Sequence, residues 1–153
     1  MNDNKSIRPM QLSDLADVMV NEREGYPIPW SEGVMRECIE GRNLCFVLQL
    51  NDVLVGHAIV MLVADETHLL NICISPAYAR RGLGRYFLKY LIADARERKS
   101  VLFFLEVRIS NEVATQLYLT EGFNEVGVRP DYYPAEKGRE DALLMTLDLS
   151  VEF

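Results

Sequence analysis

Two glycines and three arginines in residues 75–85 form a pattern suited to binding an anion. The segment lies between a predicted strand and a predicted helix, where free backbone N–H groups and the positive end of the helix dipole meet. Glycine also lacks the Cβ atom that would block close backbone approach. These residues are Arg80, Arg81, Gly82, Gly84 and Arg85. Because the segment has neither a Walker A nor a GxGxxG sequence, it predicts a phosphate-bearing ligand held by another geometry. The alternative is a strand-to-helix turn with solvated arginines.

A carboxylate interrupts the apolar run at residues 101–107. In a strand of Val, Leu and Phe, Glu106 loses its water unless it faces a cleft, and a carboxylate in a cleft can take part in proton transfer. The alternatives are an outward-facing side chain on an alternating strand and an ion pair with Arg108. Glu106 is therefore a candidate for acid–base chemistry.

The elements that position these residues alternate between strands and helices. Apolar or alternating runs predict strands at residues 6–9, 44–50, 53–63, 68–74, 101–107, 123–128 and 142–149. Helical spacing and capping residues predict helices that begin near Ser13, Ser31, Leu83 and Asn111. Residues 129–140 are predicted to form a loop. The pattern predicts an α/β (α+β) fold with helices on both faces of a mixed, mostly antiparallel sheet of about seven strands.

Composition limits the classes of partner. The 153 residues contain no repeat or linker and are expected to form a single domain over residues 1–153. Sixteen Lys and Arg against 23 Asp and Glu give a net charge of −7, which argues against a nucleic-acid partner and favours a basic peptide. No apolar run is long enough for a membrane span, and the polar start lacks the apolar core of a signal peptide. We therefore expect a cytoplasmic protein.

The three cysteines and two histidines do not form a metal-binding pattern. Cys38, Cys45 and Cys73 are never spaced as CxxC and lie in apolar surroundings, which predicts buried, reduced thiols. His57 and His68 stand far apart without a partner motif. The sequence therefore predicts no metal site.

Residues 76–85 resemble the acetyl-coenzyme-A pyrophosphate loop of the GCN5-related N-acetyltransferases (GNAT). A second segment of that family is similar to Asn111, Ala114, Leu117, Tyr118, Gly122 and Phe123. The loop departs from the family pattern at Ala79, where the family usually has Gln or Arg, so one side-chain contact with the coenzyme is expected to be lost. The resemblance implies the GNAT fold, with acetyl-CoA as the co-substrate.

The same resemblance implies roles for individual residues. Glu106 is the implied general base, and Tyr118 is the implied general acid that protonates the departing thiolate. The alternative for Tyr118 is simple packing beside Phe123. The implied coenzyme contacts are Ile72, Cys73, Ile74, Arg80, Arg81, Gly82, Leu83, Gly84, Arg85 and Asn111.

Further matches at residues 105–111, 132–134 and 138–142 are similar to the ribosomal-protein-alanine N-acetyltransferases within that family. They imply that the acceptor is the N-terminal alanine of the eighteenth small-subunit ribosomal protein, a basic peptide. Deprotonating an α-amine at pH 7 costs about 1.1 kcal/mol and a lysine about 4.6 kcal/mol, so a single glutamate suits the α-amine better. Trp30, Tyr132 and Tyr133 are expected to wall the acceptor groove, with simple packing as the alternative for each.

Other functions stay open from the sequence. One is a GNAT enzyme that acetylates lysine or a small-molecule amine. Another is a coenzyme-A-binding module or a scaffold that performs no catalysis. An acceptor panel separates the enzymes from one another, and substitutions at Glu106 and Tyr118 separate an enzyme from a binding module. We expect a monomer.

Overall fold

The computed structural model describes residues 4–150. Its strands are β1 (Lys5–Pro9), β2 (Leu44–Leu50), β3 (Val53–Val63), β4 (Glu66–Ile74), β5 (Leu102–Arg108), β6 (Asn124–Pro134) and β7 (Arg139–Asp148). Its α-helices are α1 (Leu15–Gly25), α2 (Glu32–Glu40), α3 (Leu83–Glu97) and α4 (Glu112–Thr120). Short 3-10 turns lie at Leu12–Asp14 and Pro76–Tyr78.

One compact unit comprises residues 4–62 and 70–91 of the described chain. Its strands lie in the order β1-β2-β3-β4, and β2 pairs antiparallel with both β1 and β3. The β2–β3 register shifts between Leu48 and Gln49. Apolar side chains of α1, α2, β2 and β3 meet in a buried core that consists of Met10, Leu15, Val18, Met19, Met35, Cys38, Cys45, Val47 and Ile59.

A second compact unit comprises residues 63–69 and 92–150 of the described chain. Its strands lie in the order β4-β5-β7-β6. The first half of β4 pairs parallel with β5, ending where Leu69 lies opposite Leu105, and β7 pairs antiparallel with both β5 and β6. The buried rings of Phe103 and Phe123 pack edge to face with centroids 5.5 Å apart.

The predicted fold class is confirmed by seven strands in a mixed, mostly antiparallel arrangement and by the four α-helices of residues 4–150. Two predicted helix starts are also confirmed by their caps. The Ser31 hydroxyl accepts the Val34 N–H at 3.2 Å, and Asn111 Oδ1 accepts the Ala114 N–H at 3.2 Å. Within residues 4–150, no helix is both long enough and apolar enough to cross a bilayer.

The helix start predicted at Ser13 is wrong. Ser13 lies inside the 3-10 turn, and α1 begins at Leu15. Asp14 is the N-cap residue of α1, and its Oδ2 accepts the Gln11 N–H at 2.7 Å, a contact that caps the preceding 3-10 turn. The same carboxylate binds Arg8 at 2.8 Å, and that hydrogen bond holds the pKa of Asp14 below its usual range. A charged acceptor makes a stronger bond than a serine hydroxyl, so Asp14 fixes the entry to α1.

The loop predicted at residues 129–140 is also wrong, because this segment forms most of a β-hairpin. Strands β6 and β7 extend into it from both sides and leave a short turn. A register shift between Arg129 and Tyr133 and a φ angle of +51° at Asp131 accommodate the residues that favour a loop. Since β6 stands at the end of the strand order, its outer N–H groups need no strand partner and proline is tolerated.

Candidate functional site

The turn between β4 and α3 is irregular. Ser75 N–H donates to Val55 O at 2.8 Å, and the 3-10 turn Pro76–Tyr78 follows. Arg80 and Gly82 have positive φ angles of +63° and +75°, and α3 begins directly afterwards. Glycine adopts this conformation freely, whereas an arginine in it costs about 1–2 kcal/mol. The surrounding turn must therefore hold the Arg80 backbone in place.

Backbone N–H groups collect at this turn. The bonds that define it are Tyr78 N–H to Ser75 O, Ala79 N–H to Pro76 O and Tyr86 N–H to Gly82 O. Within residues 4–150, the N–H groups of residues 80–84 make no backbone hydrogen bond. Arg80 and Arg81 are exposed above them. The turn can therefore bind an anion through backbone donors, a helix dipole and two cationic side chains.

The end of β4, which leads into this turn, offers its backbone rather than a reactive side chain. Ile72 O accepts a hydrogen bond from the Tyr26 hydroxyl, and Cys73 O accepts one from Asn21 Nδ2 at 3.3 Å. Burial and two nearby carboxylates raise the pKa of the Cys73 thiol to about 12. The thiol is thus protonated at neutral pH and is not a nucleophile.

In the second unit, Glu106 on β5 contacts two residues of β6. Its side chain is 17% exposed, and its Oε1 lies 3.1 Å from Arg129 Nη2. The Arg129 guanidinium lies 4.8 Å from the centroid of the Tyr132 ring. Burial raises the pKa of the Tyr132 hydroxyl, and the charge of Glu106 and a hydrogen bond to it raise that pKa further. The alternative ion pair with Arg108 is wrong, since the partner is Arg129.

Arg108 instead fastens the hairpin to β5. Its Nη1 donates to Glu140 Oε1 at 2.9 Å and to Pro134 O at 2.8 Å, and its guanidinium lies 4.5 Å from the centroid of the Tyr133 ring. The Tyr132 and Tyr133 rings pack edge to face at 4.9 Å. Burial and the nearby charge of Glu106 are the main causes that raise the pKa of Tyr133 to about 12. The Glu106 charge thus acts on the hydroxyls of both tyrosines.

Tyr118 projects from α4 into the core of the second unit. It is buried, and its ring packs against Phe123 at 5.6 Å, so the packing contact expected from the sequence is present. Burial raises the pKa of its hydroxyl well above the usual range, and Tyr133 adds to that shift. The hydroxyl therefore keeps its proton at any physiological pH and can act as a donor.

Trp30 and Asn111 have structural contacts of their own. Trp30 is partly buried against the core of the first unit, which matches the packing alternative. Its backbone N–H donates to Glu22 Oε2 at 2.9 Å. Asn111 uses its side-chain oxygen to cap α4. These contacts fix where each residue stands in its unit.

Sequence reasoning missed a buried polar cluster in the first unit. His57 Nε2 lies 2.9 Å from Glu22 Oε1, and Asn71 Nδ2 donates to the same oxygen at 3.0 Å. Glu22, His57 and Cys73 each offer a potential metal ligand, and these atoms lie within 4.8 Å of one another. Each is already engaged, since the Cys73 thiol bonds to Asn21 O at 3.5 Å. The cluster therefore works as a hydrogen-bonded network. Its one sequence signal is that Glu22 continues the apolar spacing of α1.

Comparison with known proteins places this geometry in a family. The Acetyltransferase (GNAT) family pattern matches residues 15–123. The [Ribosomal protein bS18]-alanine N-acetyltransferase of Escherichia coli (strain K12) is 39% identical over 146 residues, which is 95% of this chain and 99% of that protein. The crystal structure of the ribosomal-protein-S18-alanine N-acetyltransferase from Escherichia coli superposes with a TM-score of 0.91 at 38% identity, over 98% of this chain and 97% of that one.

A more distant structure shows the same fold. The putative acetyltransferase yncA from Salmonella typhimurium, solved with its cofactor acetyl-CoA, is 19% identical with a TM-score of 0.78, over 95% of this chain and 94% of that one. The match to the family covers α1 to the end of α4, including the arginine-rich turn and β5. The resemblance drawn from residues 76–85 and 111–123 is confirmed, and this chain belongs to the acetyltransferase (GNAT) family.

Proposed function

We propose that this protein is an acetyl-CoA-dependent N-α-acetyltransferase whose acceptor is the N-terminal alanine of ribosomal protein bS18, the eighteenth protein of the small subunit. The observation that carries this proposal is the 39% identity to the Escherichia coli enzyme of that name, which extends over nearly the full length of both chains. The acceptor would place the enzyme in the cytoplasm, where ribosomal proteins are made. We further propose that residues 1–153 act as one catalytic domain, as a monomer without a nucleic-acid or metal partner.

The co-substrate is proposed to bind at the turn between β4 and α3. Its diphosphate would accept hydrogen bonds from the N–H groups of residues 80–84, with Arg80, Arg81 and Arg85 supplying positive charge. Leu83 is buried and anchors the start of α3, which keeps these donors in place. The backbone of residues 72–74 would hold the pantetheine arm, and Asn111 would contact the coenzyme from the start of α4. The turn forms with alanine at position 79 in place of the family's usual Gln or Arg, because the contact made there is the backbone bond from Ala79 N–H to Pro76 O.

The acceptor ammonium is proposed to give one proton to Glu106, which leaves a neutral nitrogen that attacks the thioester carbonyl. A bond forms between nitrogen and the acetyl carbon, the carbon–sulfur bond breaks, and Tyr118 gives its proton to the departing thiolate. The attacking nitrogen then loses its second proton, which restores the Tyr118 hydroxyl through solvent, and Glu106 releases its own proton to solvent. Because burial raises its pKa, the Tyr118 hydroxyl is neutral at physiological pH and has a proton to give. Arg129 is paired with the Glu106 carboxylate, so the cationic α-ammonium of the acceptor must take the place of the Arg129 guanidinium.

The acceptor peptide is proposed to contact the aromatic hairpin beside Glu106. Tyr132, 40% exposed, presents both a ring face and a hydroxyl there, and Tyr133 lies behind it. Trp30 is proposed as a further contact, from the segment between α1 and α2. The net charge of −7 attracts a basic peptide, and this attraction weakens as salt is added.

The test is an acceptor panel with acetyl-CoA and the purified protein. Three peptides share the basic N-terminal sequence of bS18: one begins with a free alanine, one has that alanine acetylated in advance, and one carries proline in its place. We expect mass spectrometry to find one acetyl group, on the alanine nitrogen of the first peptide alone. Acetylation of internal lysines in the blocked peptide, or no transfer to any peptide, would contradict the proposal.

A further inference from the structure

The carboxylate of Glu22 is almost completely buried, with 1% of the residue exposed, and it accepts three hydrogen bonds. The donors are His57 Nε2 at 2.9 Å, Asn71 Nδ2 at 3.0 Å and Trp30 N–H at 2.9 Å. Burial alone would raise the pKa of Glu22, but hydrogen bonds from His57, Trp30 and Asn71 outweigh it and leave the pKa below its usual range. Burying an ionised carboxylate carries a desolvation cost in the free energy of folding. A functional role for Glu22 would explain why the protein bears this cost.

The neighbours of His57 decide which ring nitrogen donates to Glu22. Asn21 Nδ2 lies 2.9 Å from His57 Nδ1 and also donates to Cys73 O at 3.3 Å, so it is a donor on both sides. His57 Nδ1 must then be the acceptor, and the proton sits on Nε2, where it points to Glu22. Hydrogen bonds from His57, Trp30 and Asn71 are thus the main interactions that stabilise the carboxylate. Loss of any one donor therefore leaves a buried charge poorly satisfied.

The three donors come from three different parts of the first unit. His57 lies on β3, Asn71 lies on β4, and Trp30 lies in the irregular segment between α1 and α2. That segment has no regular structure to hold it, but Pro27 and Pro29 restrict its backbone. The contacts that hold it include the Trp30 backbone N–H bond to Glu22, the Tyr26 hydroxyl bond to Ile72 O and the packing of the Trp30 side chain against the core.

The second of these contacts places the segment beside the proposed acyl site. Ile72 begins the stretch of β4 whose backbone is proposed to hold the pantetheine arm. Tyr26, at the start of the segment, is therefore bonded to the same strand residue whose backbone is proposed to hold that arm. Ile28, at the middle of the segment, is 42% exposed and free to contact a ligand.

We propose that Glu22 is a positioning residue for acceptor binding, whose buried carboxylate ties the segment between α1 and α2 to β3 and β4 through the Trp30 N–H. This inference rests on the proposed function, because it takes that segment as part of the acceptor wall. Glu22 touches neither substrate nor coenzyme, and its effect passes through the backbone of Trp30.

Glu22→Gln isolates the contact to the loop. Glutamine has one acceptor oxygen, and that oxygen satisfies two donors, His57 and Asn71, when it takes the place of Oε1. The amide nitrogen then faces the Trp30 N–H, donor against donor, and the segment is released. In the opposite orientation the amide nitrogen would face two donors, His57 and Asn71, which is less favourable. The variant therefore keeps the bonds to β3 and β4 and loses the bond to the loop.

The experiment measures the KM for the alanine-starting peptide, kcat, the Kd for coenzyme A and the thermal unfolding midpoint. For Glu22→Gln we expect the peptide KM to rise about tenfold, as for the loss of one charge-assisted hydrogen bond, with kcat and the coenzyme Kd within about twofold of wild type. Val18→Ala is the matched control. Val18 is fully buried one turn earlier on α1, so its truncation loosens the same helix and leaves the Trp30 bond intact.

An unchanged peptide KM in Glu22→Gln would overturn the inference, as would an equal rise in Val18→Ala. If Glu22→Gln does not fold, Trp30→Ala and Trp30→Pro ask the same question, since both lose the indole and only proline lacks the N–H. A KM about tenfold higher for Trp30→Pro than for Trp30→Ala supports the inference, and equal values contradict it. Failure of the wild-type protein to acetylate the peptide would instead contradict the proposed function.

Discussion

Glu106→Gln removes the proposed proton acceptor while leaving the size of the side chain almost unchanged. A positioned general base contributes about 10²- to 10⁴-fold to rate, so we expect kcat to fall by a factor in that range. The lost ion pair costs little stability, because the Arg129 side chain is 50% exposed and such pairs contribute about 1 kcal/mol or less. The midpoint of thermal unfolding should therefore move by only a few degrees.

The assay follows acetylation of the alanine-starting peptide at pH 7 and pH 9, with coenzyme A binding measured in parallel. An α-amine with a pKa of about 7.8 is about 14% neutral at pH 7 and about 94% neutral at pH 9. A variant without its base should therefore recover about sevenfold in rate over this interval. Coenzyme affinity should stay within about twofold of wild type, since the diphosphate is proposed to bind at residues 80–84.

Glu140→Gln is the matched control for this prediction. Glu140 is 20% exposed in its side chain against 17% for Glu106, it forms an ion pair with Arg108, and it lies in the same hairpin region. We expect Glu140→Gln to keep kcat within about threefold of wild type. A Glu106→Gln variant with near wild-type kcat, or an equal loss in Glu140→Gln, would refute the assignment of Glu106 as the base.

Three further predictions follow from the same geometry. Tyr118→Phe should lower kcat by about 10- to 100-fold without loss of coenzyme binding, and a kcat unchanged in steady-state assays would exclude Tyr118 as the acid. Because burial raises the pKa of the Tyr118 hydroxyl, the stability it contributes is fully present below about pH 10 and is lost as pH rises further. Unfolding curves at pH 8 to 11 should thus show a smaller alkaline loss in Tyr118→Phe than in wild type, and equal losses would contradict this. Arg80→Glu combined with Arg81→Glu should raise the Kd for coenzyme A at least tenfold by calorimetry, whereas the same change at the exposed Arg36 should leave it unaltered. The Cys73 thiol, buried and with a pKa of about 12, should resist alkylation by iodoacetamide at pH 8 until the protein is unfolded, and rapid labelling of the native protein would show that it is accessible.

Local signals predicted some of the elements that carry the site, but not the part of β6 that carries Tyr132 and Tyr133. The helix starts at Ser31 and Asn111 follow from side chains that bond to N–H groups three residues later, and such contacts depend only on neighbours in the sequence. The turn at residues 75–85 is equally local, because its glycines and arginines stand together between a strand and a helix. The fold class followed from the same periodicities.

The partner of Glu106 could not be predicted, because strand order decides it. Arg108 is two residues away on the same strand and was the natural choice. In the structure β7 lies between β5 and β6, and Ala142 on β7 stands opposite both Arg108 and Arg129. Arg129 therefore reaches Glu106 across a strand that is distant in sequence. Its position also depends on the register shift between Arg129 and Tyr133, which lies in the segment predicted to be a loop.

The buried network at Glu22 was hidden for a related reason. Its partners His57 and Asn71 are 35 and 49 residues away along the chain, and neither stands in a recognisable motif. Glu22 follows Leu15 and Val18 at helical spacing, so its carboxylate lies on the face of α1 that packs against the core. A charged residue on the apolar face of a helix is a signal for a buried polar partner, although it does not identify that partner.

The most direct test of the proposed catalysis is a crystal structure with coenzyme A and an alanine-starting bS18 peptide bound together. We expect the diphosphate to accept hydrogen bonds from the N–H groups of residues 80–84, and the alanine nitrogen to lie within hydrogen-bond distance of Glu106, directly or through one water, with Arg129 displaced from the carboxylate. A diphosphate bound elsewhere, or an alanine nitrogen remote from Glu106, would contradict the mechanism.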